Sequence, residues 1–393
     1  VCRAVLALRD LDDPRRVIAR TRRPVLAPVH DYELHGDVPN VVFPQGAVVE
    51  DGTLRLYYGA ADTTIGEASA PLADVLALLH EERGQGHVAR VHLAFRGDRD
   101  EPRDLGTSPV PVERLHGGQP VLEPIPGHAW ESRVVLNPAA VLVDDADELE
   151  GLMETWTLSD TDRAALREAG GACVMLYRAQ GSAYERERPH GTHVASALGL
   201  AVFTPDLRLV RRWAEPVIAP EAAFHDLGVE DARCTKVGDT YYLHYTGYTS
   251  SGLADPSLAG RVQLCLATTR DFVTWTLLGP LEGEVNAVDD KNGALFPEPV
   301  DGTWRLWHRP MAGPHPMTMH LAEADRPEGP WTSQGCVLAS RRFTDFALSW
   351  VGAAGPPIAL GDGQFLALTH QGHFTFDGTR LYNLSAALVV LGP

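Results

Sequence analysis

The segment Gly228-Val229-Glu230-Asp231-Ala232-Arg233 sets two carboxylates and a guanidinium within six residues, ahead of the strand-like Thr240-Tyr241-Tyr242-Leu243-His244-Tyr245-Thr246. Neighbouring carboxylates can do acid and base chemistry, provided the environment keeps one protonated while the other stays ionised. A turn followed by an aromatic strand is also how a propeller or barrel presents a charged side chain to its central cavity. Taken alone, a Glu-Asp pair before a strand is most often a solvated loop or capping turn. The other segments of the chain decide between these readings.

Cations that could join such a site are Arg178, Arg233, Arg261, Lys291 and Arg309, each at an end of a strand-like segment, so that several can converge on one cavity. Arginine grips phosphate with two parallel hydrogen bonds, and lysine adds a point charge. His308, His370 and His373 also stand near strand ends, where a histidine is commonly a hydrogen-bonded structural residue. Tyr241, Tyr245, Trp304 and Trp307 could stack on sugar faces, although alternate residues of a strand point opposite ways and half must be core. The chain has no HExxH, no glycine-rich phosphate loop and no metal-spaced cluster, so neither a metal nor a nucleotide cofactor is expected.

The elements that must position these residues are strands. Five alternating apolar and aromatic runs recur: Leu54–Gly59, Cys173–Arg178, Tyr241–Thr246, Trp304–Arg309 and Phe365–His370. Several follow tight turns such as Glu50-Asp51-Gly52, Val237-Gly238-Asp239, Val300-Asp301-Gly302 and Gly361-Asp362-Gly363, the usual punctuation of hairpins. The last three runs lie roughly 60 residues apart, which suits a four-stranded sheet with generous loops. The pattern predicts an all-β, five-bladed β-propeller. Helical spacing predicts peripheral helices over 71–83 and over part of 145–169, and the Gly-, Pro- and charge-rich stretch 84–119 reads as a junction.

The net charge of −18 argues against nucleic acid or an acidic membrane as a partner. Cysteines at 2, 173, 234, 265 and 336 form no CxxC pair, which makes a reducing, cytoplasmic compartment the simplest expectation. No apolar run reaches the roughly 18 residues of a membrane span, and no signal-peptide layout is present. The sequence starts at Val1 rather than Met, as a fragment or an alternative start would.

Several motifs carry a specific resemblance: Gly228–Arg233, Lys291-Asn-Gly-Ala-Leu-Phe-Pro-Glu298, Leu136-Asn-Pro-Ala-Ala140, Tyr177-Arg-Ala179, and Val42–Ala47 with Tyr57–Asp62. Together they resemble glycoside hydrolase family 130, the β-mannoside phosphorylases and related mannosidases, which are five-bladed propellers with the active site in the central funnel. Their order departs from the family. Residues 1–84 resemble the family's C-terminal blade and terminal helix, 85–118 form the junction, and 119–393 supply the remaining blades and the catalytic motif, together one propeller domain. Gln119–Pro124, Trp130-Glu131 and Leu136–Pro138 look like a family N-terminus, and Tyr382–Leu388 resembles the opening strand Arg3–Leu8. A circularly permuted motif order, or a tandem fragment, accounts for this.

The resemblance implies the chemistry. Asp231 matches the catalytic acid, and for that role burial or Glu230 would have to raise its pKa. In some family members the proton travels through a hydroxyl of the mannosyl unit. An inverting glycosidase needs a base to activate water, whereas a phosphorylase uses inorganic phosphate, already a nucleophile, and needs cations instead. Arg261 and Lys291 match phosphate-binding positions, and Arg233 and Arg309 join them as candidates. Asn137, Arg178 and Asp62 match contacts to the mannosyl unit, with Glu230, Tyr245 and His370 as further substrate-binding candidates. The expected activity is a β-mannoside phosphorylase releasing α-mannose 1-phosphate, with phosphate as co-substrate and no other cofactor. The alternatives are a β-mannosidase and a non-catalytic glycan-binding propeller. Family relatives associate, which implies a homo-oligomer. Departures from the family pattern fall at Ala232, where it has Pro, at Asn292-Gly293, where it often has Asp-Ala, and in Val351–Gly355, which lacks a preceding lysine.

Overall fold

The computed structural model describes residues 3–9, 17–20, 25–81, 113–188, 191–251, 260–313, 316–338, 349–361, 363–374 and 380–390. Among the described residues five twisted sheets form the blades around one axis, as the recurrence of strand runs predicts, and a sixth, two-stranded sheet pairs Glu185–Arg188 with Gly191–Val194. Blade one comprises Val42–Glu50, Thr53–Ala60, Thr64–Pro71 and Glu113–Arg114, in that order outward. Blade two is Val134–Val143, Ala172–Gln180, Ala197–Phe203 and Leu209–Arg212. Blade three is Gly228–Val237, Thr240–Thr249, Arg261–Thr269 and Thr276–Pro280, and blade four is Asp290–Leu295, Trp304–Pro310, Met319–Ala324 and Thr332–Leu338.

Blade five draws on both ends of the sequence: Ser349–Ala353, Gln364–Phe374, Arg380–Val390, Arg3–Arg9 and Val17–Arg20, with Ile358–Gly361 also paired to the second of these. The two segments that look alike in sequence lie side by side, in parallel, with Arg3 opposite Asn383 and Leu8 opposite Leu388. The first 84 residues therefore serve two sheets, and most of the junction lies outside the described residues.

Each of the five predicted runs is the second strand of a blade, and its period-two pattern feeds two cores at once. Tyr57 packs between blades one and two with Ile65, Met175 and Tyr177, while Leu56 and Tyr58 pack between blades five and one with Leu366 and Leu368. Tyr241, Leu243 and Tyr245 face blade two, joining Leu198, Leu200 and Val229, whereas Tyr242 faces blade four beside Leu295 and Leu306. Phe296, Trp307, Val351 and Phe365 fill the fifth interface. Both faces of a middle strand are buried, so alternation here separates two cores rather than core from solvent.

Helices form where spacing predicts them, over Leu72–Glu81, Ala146–Thr155 and Asp160–Ala169. Asp145 and Ser159 cap the latter two by accepting from the amides of Glu148 and Asp162, and Gly170 ends the second in the left-handed region. This helical pair joins the ends of the blade-two strands farthest from Asn137 and Arg178, and its Leu149, Leu152, Met153 and Trp156 complete the core between blades two and three.

Candidate active site

Four of the five inner strands carry a local defect. In Val134–Val143 the pairing breaks between Leu136 and Ala139, in Gly228–Val237 between Glu230 and Arg233, and in Asp290–Leu295 between Lys291 and Ala294. In each, two residues oppose one, and the first adopts a left-handed backbone: Asn137 (φ 49°), Asp231 (φ 52°) and Asn292 (φ 61°). Asn and Asp tolerate this region better than other non-glycine residues, which is why these types occupy the position. Blade one has the related break, with Gln45 the extra residue between Pro44 and Gly46. The bulges lie in the N-terminal halves of the strands and so define one end of the channel. Ala232, in place of the family's Pro, leaves the bulge at Asp231 intact.

Asp231 is the hub. Its Oδ1 accepts from Asn137 Nδ2 at 2.8 Å and from Arg178 Nη1 at 3.2 Å, and the other arm of Arg178 donates to Glu230 Oε1 at 2.8 Å. Lys291 Nζ stands 3.7 Å from Glu230 Oε2. Arg178 is held by its third nitrogen too, with Nε donating to Ser196 Oγ at 2.8 Å, and Gln180 Nε2 donates to the same oxygen at 3.0 Å. Burial works against the guanidinium charge of Arg178, but Glu230, Asp231 and, more weakly, Asp62 outweigh it and raise its pKa. Asp62 belongs to the turn between the second and third strands of blade one, again with a left-handed backbone (φ 51°).

The expected elevation of the Asp231 pKa is not what the structure holds. Burial acts to raise it, yet Arg178, Lys291, the Asn137 hydrogen bond and Arg233 together pull it down to about 2. Three cations and one amide donor outweigh desolvation, so without ligand the group is a carboxylate. Glu230, whose like charge was to help, is itself engaged by Arg178 and Lys291.

The remaining candidates divide. Arg309 and His370 are buried together, Nη1 to Nε2 at 3.4 Å, and Phe43 of blade one packs on the imidazole at 4.7 Å between centroids. Burial, then Arg309 and Arg233, keeps His370 well below the usual histidine pKa, so it is neutral near pH 7. Arg233 is 1% exposed, and its two terminal nitrogens are occupied by backbone carbonyls: Asp231 O at 2.7 Å and Ala353 O at 2.8 Å. These two bonds pin the bulge to blade five, and burial lowers the pKa of Arg233 to about 10. Arg261 sits at the rim, donating to Asn286 O and 3.8 Å from Asp289, and no ion pair joins it to the axial group among the described residues. Tyr245 is a core residue whose hydroxyl pairs with His225 Nδ1 at 3.0 Å. Tyr241 and Trp307 are core as well, and Trp304 packs against the core between blades three and four. His308 is fixed by Asp290 and Ser333, and the side chain of His373 is outside the described set.

Sequence reasoning missed Ser196 and Gln45 as parts of this site. Ser196 carries no motif. Gln45, Asn137, Asp231 and Asn292 did carry a signal, a polar residue followed by Gly, Pro or Ala and then, in three of the four, by Ala: Gln-Gly-Ala, Asn-Pro-Ala, Asp-Ala-Arg and Asn-Gly-Ala. Among the described residues no group of three or more His, Cys, Asp or Glu is arranged to hold a metal ion.

A model of the glycoside hydrolase 130 family, described as β-1,4-mannooligosaccharide phosphorylase, matches residues 1–81 and 169–391. A 1,2-β-oligomannan phosphorylase of Thermoanaerobacter sp. (strain X514) is 47% identical over 284 residues, 72% of this chain and 77% of that protein. A β-1,2-mannobiose phosphorylase of Listeria innocua is 45% identical over 76 residues, 19% of this chain and 21% of that one. The solved complex of the Listeria innocua β-1,2-mannobiose phosphorylase with β-1,2-mannobiose overlays at a TM-score of 0.43 with 17% identity, covering 99% of this chain and 80% of that chain.

Proposed function

The chain belongs to glycoside hydrolase family 130, and we propose that it is an inverting β-mannoside phosphorylase acting on a terminal β-1,2-linked mannosyl residue. The observation that carries this reading is the single carboxylate of Asp231 enclosed by Arg178, Lys291 and Asn137 across three blades. A hydrolase needs a second carboxylate free to activate water. Here the nearest one, Glu230, is tied to Arg178 and Lys291. Two of the relatives named above act, by their names, on β-1,2-oligomannan and β-1,2-mannobiose, which supports a β-1,2 linkage, while the family model carries a β-1,4 description.

In the proposed reaction an oxygen of inorganic phosphate attacks the anomeric carbon from the face opposite the leaving sugar. The glycosidic C–O bond breaks, and the departing oxygen takes a proton that originates on Asp231. The product is α-mannose 1-phosphate with inverted configuration. Asp231 must therefore gain a proton before it gives one. Phosphate contributes in two ways: a unit of negative charge at about 5 Å disfavours the carboxylate by ~3 kcal/mol at an effective dielectric of about 20, part of the rise the role needs, and dihydrogen phosphate brings in the proton that Asp231 takes up and passes to the leaving oxygen. Lys291, Arg178 and the Arg309–His370 pair are the groups through which the anion and the sugar would be held. The reading also includes phosphate as the sole co-substrate, a cytoplasmic location and a homo-oligomeric state. Among the described residues no helix is long and apolar enough to cross a membrane.

The test is product identity. Incubation with β-1,2-mannobiose in phosphate buffer should give one equivalent each of mannose and α-mannose 1-phosphate, and nothing when phosphate is omitted. Two equivalents of mannose regardless of phosphate would replace phosphorolysis with hydrolysis. Sugar binding without turnover would leave a glycan-binding propeller.

A further inference from the structure

Three of the inner-strand bulges hold amides instead of a carboxylate, and all three are nearly enclosed: Gln45 is 1% exposed, Asn137 5% and Asn292 3%. Gln45 Oε1 and Nε2, Asn137 Oδ1 and Asn292 Oδ1 have no hydrogen-bond partner among the described residues. Four such atoms at equivalent places on three blades, in a ring whose fourth member is Asp231, are not scattered packing errors. Buried amide groups without partners cost a fold their lost hydration, and sites that bind ligands are where this cost recurs.

The neighbouring blades leave room for these groups. A Cβ on Gly59 would stand 3.0 Å from Asn137 Oδ1, and one on Gly352 would stand 2.8 Å from Asn292 Oδ1 and 3.2 Å from His370 Cε1. Any larger residue at 352 would collide with the Asn292 amide. The fifth inner strand, which has no register break, thus supplies a space where the others supply a side chain.

The chemistry of the orphaned atoms selects the ligand. Three of the four are carbonyl oxygens, which accept hydrogen bonds and repel anions, and only Gln45 adds a donor. Phosphate would be excluded from such a ring, whereas sugar hydroxyls, each able to donate, fit it. We propose that Gln45 and Asn292, together with Asn137, bind the hydroxyls of the glycosyl unit held against Asp231 and so determine which sugar is transferred, leaving phosphate to the cations. This rests on the phosphorylase reading for the identity of that sugar as mannose.

The test separates binding from folding by the opposite signs they predict. Gln45→Met keeps the side chain's length and removes its polar atoms, and Asn292→Gly removes the amide while suiting the left-handed backbone. Each variant is compared with the full-length wild type for thermal midpoint without ligand, for kcat/KM with β-1,2-mannobiose, and for the KM of inorganic phosphate. The expected result for Gln45→Met is a midpoint equal to or above wild type, kcat/KM at least tenfold lower, and a phosphate KM within twofold. Asn292→Gly should show the same split in kinetics. A midpoint lowered by several degrees with kcat/KM within twofold would make the amides structural and overturn the inference. A rise in phosphate KM with the disaccharide term unchanged would overturn it as well, by assigning the ring to phosphate. A wild type that does not consume the disaccharide in phosphate would overturn the phosphorylase reading itself, and this inference with it.

Discussion

Replacing Asp231 by Asn removes a charge while keeping the side chain's shape and its hydrogen bond from Asn137. The structure sets the size of the effect. The difference between an ordinary aspartate at 3.8 and Asp231 at about 2 corresponds to about 2 kcal/mol favouring the folded, ionised form. The folded pKa is depressed, so this contribution is fully present above the unfolded value of about 3.9 and is lost as pH falls through about 2. With an unfolding entropy of about 2.1 cal/mol/K per residue, about 2 kcal/mol lowers the melting midpoint of a chain this long by about 2–3 °C. Urea unfolding followed by tryptophan fluorescence at pH 7 should show Asp231→Asn less stable by that amount, with the gap narrowing below pH 4. Inorganic phosphate should then stabilise the variant more than the wild type, because Arg178 and Lys291 have lost a counter-charge. An Asp231→Asn protein equally or more stable than wild type at pH 7 would refute the electrostatic account of the site.

Ser196→Ala removes the acceptor of Arg178 Nε, and the guanidinium should lose its aim at Glu230 and Asp231: we expect kcat/KM to fall about tenfold with a midpoint change within 1–2 °C, read by steady-state kinetics and a thermal melt. Arg233→Ala strands the carbonyls of Asp231 and Ala353 and opens a buried cavity, and denaturant unfolding should show a loss of about 3–5 kcal/mol. Tyr245→Phe removes the hydroxyl's bonds to His225 and Cys265, so stability should drop by about 1–2 kcal/mol while kcat/KM is unchanged. A tenfold loss of activity in Tyr245→Phe would return that residue to the site.

Much of the architecture was legible because a propeller repeats itself. The runs at Leu54, Cys173, Tyr241, Trp304 and Phe365 announced five strands, each of them the second of its blade, and the turns before them announced hairpins. Their aromatic residues were less legible. Tyr245 and Trp307 alternate along strands whose two faces are both buried, so no periodicity separates a funnel-facing ring from a core one. The roles of the cations depend on partners far away in sequence. Arg233 is held by a carbonyl 120 residues further on, and Arg261 stands at the rim beside Asp289. The charge state of Asp231 was misjudged for the same reason: its surroundings come from three other strands, and burial alone gives the wrong sign. The bulge residues were readable in principle, since Asn or Asp ahead of a small residue in an otherwise apolar strand marks a left-handed kink.

The central claim is that Asp231 serves phosphorolysis at the channel axis. Its most direct test is the rate of α-mannose 1-phosphate formation from β-1,2-mannobiose and inorganic phosphate, for wild type and Asp231→Asn side by side, with phosphate affinity measured on both by calorimetry. The account predicts a loss of about 10²–10⁴ in kcat with phosphate bound at least as tightly by the variant. A variant that retains wild-type turnover would contradict it.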